Sequence, residues 1–551
     1  MSELRNFRSW AAGGCGDGVY FLAAIDLVDR SMYPTNPHIK KEVLVVGAGM
    51  AGLSSALLFQ RRFPGCRVRV LYSEKTPTIN VGEGTTPGVV PFIHEQLGIP
   101  RKRFFEEVRP TWKMGARFLW GTPEGFNYPF GFLTANVVKG LSRPIGYYMD
   151  SSLRDMSVFH AMMDQRTIFA RTPEGMPESS PHFTYHLENA ALVGCFRNIG
   201  QERGIEFLTG DVTGTEHEEG GDVTAVILES GERIPADLFI DASGFKAMLT
   251  TQLDVPWQTF IGRIPCDRAV VGGWERDDED TFNTYTTVET MPEGWCWRID
   301  HEKRINRGYV YGSSFTSDDE AESVFRERNP KVTDARVIPF LSGRRRSFWN
   351  KNVLAVGNAA FFAEPLEANA IGVHLSFLDR ASLVWNETNG EPDQQSVERF
   401  NRVCTGAVEE VVDFLAAHYM YNGLLDTDFW TSARHDYRCD RVEYLKDYYV
   451  ANGPSSLFQG DPEFAQTKIF GLDGYYHMFI GMGIKSTYGG WKPSRDELAL
   501  VSSIKRKCQQ AAQNAFGGKE ILDLMHGDRW RWPEDQVRGR QDAQATRAAY
   551  S

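Results

Sequence analysis

The sequence predicts an α/β protein in which a Rossmann-like nucleotide-binding domain carries an inserted antiparallel sheet and a largely helical C-terminal module. A continuous apolar run over residues 43–46 is typical of a buried parallel strand, and a glycine-rich turn and a helical pattern follow it. Aromatic and β-branched residues alternate within about 250–335, which indicates antiparallel strands. Beyond Ile371 apolar residues recur every three or four positions, which indicates amphipathic helices.

These patterns divide the chain into four segments. We expect an irregular N-terminal extension (1–40), a nucleotide-binding domain with the inserted sheet (41–375), a helical substrate-binding module (376–526) and a polar tail (527–551). The domain opens as a βαβ unit, with a helix from about Met50 to Arg62 and a second strand over residues 68–71. Apolar runs at 236–241 and 352–356 are expected to join the same sheet.

Composition and charge exclude several classes of protein. Hydrophobic residues make up 42% and charged residues 24% of the chain, a balance that indicates a folded globular protein. The formal net charge of −12 argues against nucleic acid as a partner, because phosphate binding requires clustered Lys and Arg. No apolar run is long enough for a transmembrane helix. Eight cysteines without a CxxC pair indicate reduced thiols, so we expect a cytoplasmic protein that binds no membrane and no metal.

A glycine fingerprint, Gly47-Ala48-Gly49-Met50-Ala51-Gly52, directly follows the first strand and begins the predicted helix. Its first glycine permits a tight turn, its second lets the backbone approach a pyrophosphate, and its third allows close packing of helix and strand. The N-terminus of the helix supplies free N–H groups and the positive end of the dipole. Glu74 follows Gly52 at about the spacing of the acid that binds a ribose hydroxyl. The fingerprint predicts a bound nucleotide but does not distinguish FAD from NAD.

Two later segments favour FAD. Residues 237–244 resemble the second nucleotide-contact motif of FAD monooxygenases and their relatives, and they contain Asp241. Residues 356–360 resemble the third motif and contain Gly357, with Asn358 in place of the usual aspartate. Either segment alone is explained by a strand that ends in a glycine turn, whereas both in this order indicate an FAD-binding domain of the monooxygenase (GR2) type. No second glycine-rich βαβ unit is visible, so we expect reduced flavin to come from a separate protein.

Further motifs resemble the flavin-dependent halogenases of the tryptophan halogenase family. Residues 81–87, Val-Gly-Glu-Gly-Thr-Thr-Pro, are similar to the GEAT loop of that family. Residues 294–300, Gly-Trp-Cys-Trp-Arg-Ile-Asp, are similar to its WxWxIP motif, with Asp300 in place of the proline. The segments at 112–118 and 361–372 follow the same order, and the resemblance extends from Val43 to about Gly483.

The resemblance implies FADH2- and O2-dependent halogenation of an aromatic, indole- or phenol-like small molecule. In such enzymes a halide, chloride or bromide, becomes hypohalous acid, which is relayed to a lysine and assisted by a glutamate. Here these residues are Lys113 and Glu367, the latter as acid/base. The resemblance also implies cofactor contacts by Gly84 and Ile371, and a separate NAD(P)H-dependent flavin reductase that supplies FADH2. A homodimer is compatible with it.

The residue pattern alone gives Lys113 a different interpretation. Between Trp112 and Trp120 the apolar side chains alternate to one face, which places Lys113 and Arg117 on the other and favours a solvated lysine. The resemblance favours a buried lysine, which is suited to donate a proton to an oxidised halogen species or to bond with it.

Glu364 and Glu367 also fit a purely structural role. Pro365 is suited to the start of a helix, where carboxylates complement the dipole. The resemblance favours Glu367 as the active-site carboxylate, which would stabilise a cationic arene or remove its proton.

Departures from the family pattern leave an alternative function open. The small residues that bind halide are replaced by Ala368-Asn369-Ala370, in which the Asn369 amide and backbone N–H groups remain available to an anion. The β-carbon of Ala370 narrows this halide-binding segment and disfavours positive φ. The alternative is an FAD-dependent monooxygenase or dehydrogenase on the same scaffold that lacks a functional halide site.

The expected substrate contacts depart from the family as well. Tyr128 stands where tryptophan halogenases carry a histidine, and the remaining contacts are expected from Phe130, Phe470 and Tyr475. Free tryptophan is therefore not the favoured substrate, whereas other aromatic or indolic molecules remain open.

Overall fold

The computed structural model describes residues 35–76, 82–131, 157–178, 182–454, 469–489 and 492–532. Most of the predicted N-terminal extension and of the polar tail lies outside these ranges. In the part of the chain that is described, no helix is both long and apolar enough to cross a membrane.

A six-stranded sheet forms the base of the nucleotide-binding domain. Its central strand, Glu42–Val46, pairs in parallel with Leu238–Asp241 on one side and Arg67–Tyr72 on the other. The outer strands are Glu206–Thr209, Val353–Ala355 and the antiparallel Trp349–Asn350. The predicted βαβ opening is confirmed, with the helix at Met50–Arg62, here called the fingerprint helix.

The strand predicted at 236–241 begins later, at Leu238. At this end the Asp237 carboxylate accepts the N–H of Glu42 at 2.6 Å, while the Asp237 N–H donates to the Glu42 carbonyl at 2.9 Å.

The predicted insert contributes most strands of a seven-stranded sheet that is antiparallel except for one pair, but two strands come from residues 115–129, outside the predicted bounds. Its strands, in spatial order, are Asp334–Pro339, Arg268–Glu275, Arg304–Tyr311, Gly294–Asp300, Thr286–Met291, Gly115–Leu119 and Phe126–Pro129. The parallel pair joins Thr286–Met291 to Gly115–Leu119, which come from distant parts of the chain. Within the range 250–335, the alternating residues 281–285 lie outside any strand, and the strand begins only at Thr286. The carbonyl of Thr281 instead accepts N–H groups of Arg276 and Arg298.

A three-stranded sheet, here called the lysine sheet, connects the two larger sheets. It pairs Thr184–Glu188 with Gly82–Gly84 and with Thr111–Lys113. The remaining small sheets comprise Val212–His217, Val223–Leu228 and Arg233–Pro235; Trp257–Thr259, Gly343–Arg345 and Phe361–Phe362; and Thr167–Ile168 with Phe516–Gly517.

The C-terminal part is helical, as predicted. Its helices are Asn369–Glu387, here the site helix, Gln394–Met420, here the long helix, and Asp428–His435, Asp440–Asn452, Gly471–Gly481, Arg495–Gln513 and Gly518–His526. Earlier helices are Val89–Pro91 with the π-helical turn Phe92–Gln96, Arg101–Val108, Val158–Gln165, Asn189–Glu202 and Asp318–Arg328. Short 3₁₀ turns lie at Gly244–Lys246, Thr250–Leu253, Gly357–Ala359 and Leu366–Ala368.

Two buried polar contacts join the fingerprint helix to the site helix. Ser54 Oγ lies 2.9 Å from His374 Nε2. At the end of the fingerprint helix, Arg62 forms an ion pair with Asp379 at 2.5 Å. Breaking a buried ion pair by removal of one partner typically costs about 3–5 kcal/mol. The two helices therefore hold the glycine fingerprint and the segment around Glu367 in a fixed relation.

Candidate functional site

The glycine fingerprint forms a tight turn against the second motif. Gly47 has φ of +116°, and a β-carbon there would lie 2.2 Å from the Ala242 carbonyl oxygen. A β-carbon at Gly52 would lie 1.9 Å from the Gly47 oxygen. At Gly49, the N-cap of the fingerprint helix, a β-carbon would meet no atom within 4 Å. The open space at the helix N-terminus, beside half-buried Ala48, Met50 and Ala51, fits the pyrophosphate of a dinucleotide.

Asp241 is buried, and its carboxylate faces protein donors. One oxygen accepts the backbone N–H groups of Leu249 and Thr250 at 3.0 and 2.8 Å, and the other accepts Ser243 Oγ–H at 2.6 Å. Asp241 is also a predicted cofactor contact. In the structure its carboxylate orders the loop that follows its strand, beside the fingerprint.

The other predicted cofactor residues differ in their burial and surroundings. Gly357 has φ of +57°, and a β-carbon there would lie 2.6 Å from Ala51 Cβ, so this position requires glycine. Ile371 is buried in the first turn of the site helix. Glu74 is exposed, two residues beyond the end of its strand at Tyr72.

Lys113 is buried, with 3% of its surface exposed, so the solvated position suggested by the pattern alone is wrong. The alternation is interrupted because the chain changes sheets at Met114. Lys113 ends a strand of the lysine sheet, and Gly115 begins a strand of the seven-stranded sheet. Arg117, which the pattern placed on the same face, remains partly exposed.

Burial and few polar partners define the chemistry of the lysine. Its Nζ donates a hydrogen bond to the Thr85 carbonyl at 3.0 Å and lies 5.4 Å from the centre of the Phe130 ring. Burial lowers the pKa of Lys113 to about 8, and the negative charge of Glu367 partly opposes this shift. Both protonation states of the amine are therefore accessible near neutral pH.

Gly84 marks the point where the lysine approaches the Glu367 segment. A β-carbon at Gly84 would lie 3.3 Å from Lys113 Nζ and 3.4 Å from Ala368 Cβ. The strand of the lysine sheet that contains Gly84 therefore lies between the amine and the start of the site helix.

Glu367 lies in a strained turn directly before the site helix. Glu367 and Ala368 have φ of +69° and +54°, a left-handed conformation that residues other than glycine seldom adopt. The Glu367 side chain is 7% exposed, and its Oε1 lies 2.9 Å from His418 Nε2 on the long helix. This turn directs the carboxylate toward the long helix.

Glu364 belongs to a different buried group. Its Oε1 accepts the hydroxyl of Tyr419, and Cys266 Sγ lies 3.5 Å from the same hydroxyl. Burial raises the pKa of Glu364 to about 8, so this carboxyl is largely protonated at neutral pH. The structure thus separates the two glutamates, which the sequence pattern did not.

Asn369 begins the site helix and is 4% exposed. Its Nδ2 has no hydrogen-bond partner among the described residues, and no side chain caps the helix. An amide donor and the first N–H groups of a helix together suit an anion. The positive φ values fall on Glu367 and Ala368, whereas Ala370 is helical, so its β-carbon does not impose the expected strain.

Three of the four predicted substrate residues surround Phe414 of the long helix. Phe470 stacks on it with ring centres 3.7 Å apart, and Tyr475 contacts it edge-on at 5.0 Å. Tyr128 lies 6.2 Å from the same ring. The fourth, Phe130, lies next to Lys113 instead.

Sequence reasoning missed Phe414, His418 and Thr85. The signal available for the first two was weak: a single histidine in the segment 408–420, where apolar residues recur at helical spacing, four positions after a phenylalanine. A buried histidine in such a run is usually a satisfied core residue. Thr85 contributes a backbone carbonyl, which no side-chain pattern reports.

Comparisons with known proteins agree with this arrangement. The family model described as tryptophan halogenase matches residues 42–494. The tryptophan 6-halogenase ThaL of Streptomyces albogriseolus is 26% identical, and the match covers 88% of this chain and 99% of ThaL. The tryptophan 7-halogenase KtzQ of Kutzneria sp. is 29% identical, with 88% and 98% covered.

Solved structures show the same fold. MibH, a lanthipeptide tryptophan 5-halogenase, superposes with a TM-score of 0.81 at 28% identity and covers 89% of this chain and 94% of its own. BrvH, a flavin-dependent halogenase from Brevundimonas sp. BAL3, superposes with a TM-score of 0.77 at 25% identity and covers 89% and 100%. Because the family model spans most of the chain, the protein belongs to the tryptophan halogenase family of flavin-dependent enzymes.

Proposed function

We propose that the protein halogenates an aromatic small molecule by a route in which hypohalous acid reaches Lys113 and Glu367 acts as acid/base. Membership of the tryptophan halogenase family supports halogenation of an aromatic substrate with FAD and a halide. The roles of Lys113 and Glu367 are supported mainly by one observation. Lys113 and Glu367 are both buried, they interact electrostatically, and Gly84 lies beside Lys113 and next to the Glu367 turn.

The residues present fit FAD. The open space at Gly49 would receive the pyrophosphate, with Gly47, Gly52 and Gly357 shaping the turn around it. Bound in its reduced form, FAD would supply electrons to O2, and this chemistry would oxidise the halide. A separate NAD(P)H-dependent reductase is the proposed source of FADH2, and a homodimer stays a prediction.

Two alanine substitutions separate folding from cofactor binding. Gly49→Ala is expected to fold as the wild type does, because its β-carbon meets no protein atom within 4 Å, but to weaken FAD binding about tenfold or more by filling the pyrophosphate space. Gly52→Ala is expected to lower stability itself, because its β-carbon would lie 1.9 Å from a backbone oxygen. Thermal unfolding and FAD titration of both variants check this, and wild-type FAD affinity in Gly49→Ala would contradict it.

For the halide we propose the start of the site helix, with Asn369 as the side-chain donor and Ala370 as its neighbour. The unpartnered, buried Nδ2 and the uncapped helix N-terminus support an anion there. In this protein the amide of Asn369 would thus take the place of the small residues of the family pattern.

The proposed transfer balances as ArH + HOX → ArX + H2O. Lys113, mostly an ammonium ion at neutral pH because its pKa is about 8, would donate a hydrogen bond to the oxygen of HOX and make the halogen electrophilic. The C–X bond forms as the X–O bond breaks, and the leaving hydroxide takes a proton from Lys113 and becomes water. The arene C–H electron pair then restores the aromatic ring while its proton passes to Glu367 and, through solvent, back to Lys113. Tyr128, Phe470 and Tyr475, grouped around Phe414, support an aromatic substrate near these groups.

The test is mass spectrometry of reactions with a panel of indoles and phenols. The mixtures contain the protein, FAD, a separate flavin reductase, NADH and bromide, and omission of bromide or of the reductase gives the matched controls. We expect a bromine isotope doublet that requires both components. A bromide-independent gain of one oxygen would instead favour the alternative monooxygenase.

A further inference from the structure

We infer that His418 is a positioning residue that holds the Glu367 side chain in its working orientation through a shared proton. The inference rests on the proposed function only in so far as Glu367 acts on the substrate. It concerns the long helix, which lies outside the motifs that carry the cofactor fingerprint and the lysine.

The hydrogen-bond partners of His418 determine where its protons lie. Its Nδ1 is 2.7 Å from the Phe414 carbonyl oxygen, which can only accept, so Nδ1 carries a proton. Its Nε2 is 2.9 Å from Glu367 Oε1. This contact is a hydrogen bond only if a proton lies between the two atoms, supplied by an imidazolium ion or by a protonated carboxyl. In either form, one proton joins the histidine to the glutamate.

The surroundings fix the imidazole ring in place. His418 is fully buried, and its ring contacts Phe118, Trp120 and Phe414 at centre distances of 5.3, 6.2 and 5.0 Å. Trp120 Nε1 also donates to the His418 carbonyl at 3.0 Å. Because the ring cannot turn freely, its Nε2 presents one direction to Glu367. Charge-assisted hydrogen bonds in such dry surroundings are strong.

The backbone at Glu367 requires such an anchor. Both Glu367 and Ala368 adopt positive φ, and strained residues of this kind persist where neighbouring contacts over-determine them. The bond to His418 is such a contact, because it ties the strained turn to the end of the long helix. The Glu367 carboxylate also interacts electrostatically with Lys113, so it is coupled to both an imidazole and an amine.

A pair of substitutions at His418 tests a positioning role. His418→Phe keeps the ring but loses the donor, and we expect a fall in kcat of about 100-fold with KM changed less than about twofold. His418→Gln restores an N–H donor at a similar reach, and we expect kcat to recover to within about tenfold of the wild type. Equal losses in both variants would overturn the inference.

A double-mutant cycle separates positioning from general destabilisation. In a Glu367→Gln background, His418→Phe is expected to lower the residual kcat by less than about twofold, because the group it positions is already disabled. His94→Phe is the matched control: His94 is also a buried histidine with both ring nitrogens bonded, to the Ile99 carbonyl at 2.8 Å and the Tyr185 hydroxyl at 3.0 Å. The fold loss of kcat caused by His94→Phe should be the same in the wild type and in Glu367→Gln. A full loss from His418→Phe in the Glu367→Gln background would overturn the inference.

A spectroscopic readout distinguishes failure of this inference from failure of the proposed function. In protein labelled with ¹⁵N-histidine, the His418 resonances are assigned by their loss in His418→Gln. We expect Glu367→Gln to move the His418 Nε2 resonance and to leave that of His94 unchanged. If no substrate is halogenated but this shift occurs, the proposed function fails and the histidine–glutamate pair stands. An unchanged His418 resonance overturns the pair whatever the activity.

Discussion

Replacement of Lys113 by methionine is expected to lower arene halogenation by about 100-fold or more while FAD binding stays unchanged. The substitution keeps the buried stem but removes the group that would polarise hypohalous acid. Oxidation of halide should continue, because the role proposed for Lys113 begins only after hypohalous acid has formed. The oxidant would then leave the protein, where a small β-diketone scavenger traps it.

Product and scavenger are quantified together in this experiment, and Lys519→Met, an exposed lysine, is the control. Halogenation of the arene at the wild-type rate in Lys113→Met would contradict the proposed role. The pH dependence of activity also distinguishes the two protonation states of the Lys113 amine. Since burial lowers the pKa of Lys113 to about 8, an ammonium donor predicts activity that falls as pH rises through 8. Activity that rises through the same range would indicate the neutral amine and a covalent N-halogen route.

Glu367→Gln is expected to lower kcat by roughly 10²- to 10⁴-fold, the usual contribution of a general acid or base. Glutamine fits the same turn and can bond to His418, but it cannot accept the arene proton or stabilise a cationic ring by charge. We therefore expect a large effect on kcat and a small one on KM. Steady-state kinetics with the best arene of the panel provides the measurement.

Glu364→Gln is the matched control, since it makes the same change three residues away. Glu364 is largely protonated at neutral pH and bonds to Tyr419, a contact that a glutamine oxygen can also accept. We expect kcat within about threefold of the wild type. If the two variants lose activity equally, the distinction between the two glutamates fails.

Much of the fold was predictable because the decisive signals are local. A buried parallel strand, a glycine turn and a helix from Met50 to Arg62 follow from consecutive residues, and the structure has this helix within the same bounds. The alternation of apolar residues gave a wrong prediction where the chain passes from one sheet to another. Lys113 and Gly115 are two residues apart but belong to different sheets, so an alternation read across them gave the wrong face for the lysine.

The candidate site was predictable in part, through resemblance rather than residue chemistry. Lys113 and Glu367 were named from family motifs, and their burial agrees with the proposed roles, which remain to be tested. His418 and Phe414 could not be found in this way. Their importance depends on contacts with the Glu367 turn and with Phe470, and such contacts arise only from tertiary packing.

The interactions of Glu367 with His418 and Lys113 join parts of the chain that are distant in sequence, and this separation affects the order of folding. The carboxylate and its histidine are 51 positions apart, on a loop and on the far end of the long helix, and the amine comes from a strand much nearer the N-terminus. Closing such long chain segments is slow relative to forming local helices and turns. A nascent or truncated chain that ends before Gln394 contains the whole nucleotide fingerprint but lacks the histidine. Flavin binding alone is therefore a poor measure of correct folding, and the state of the long helix is the better one.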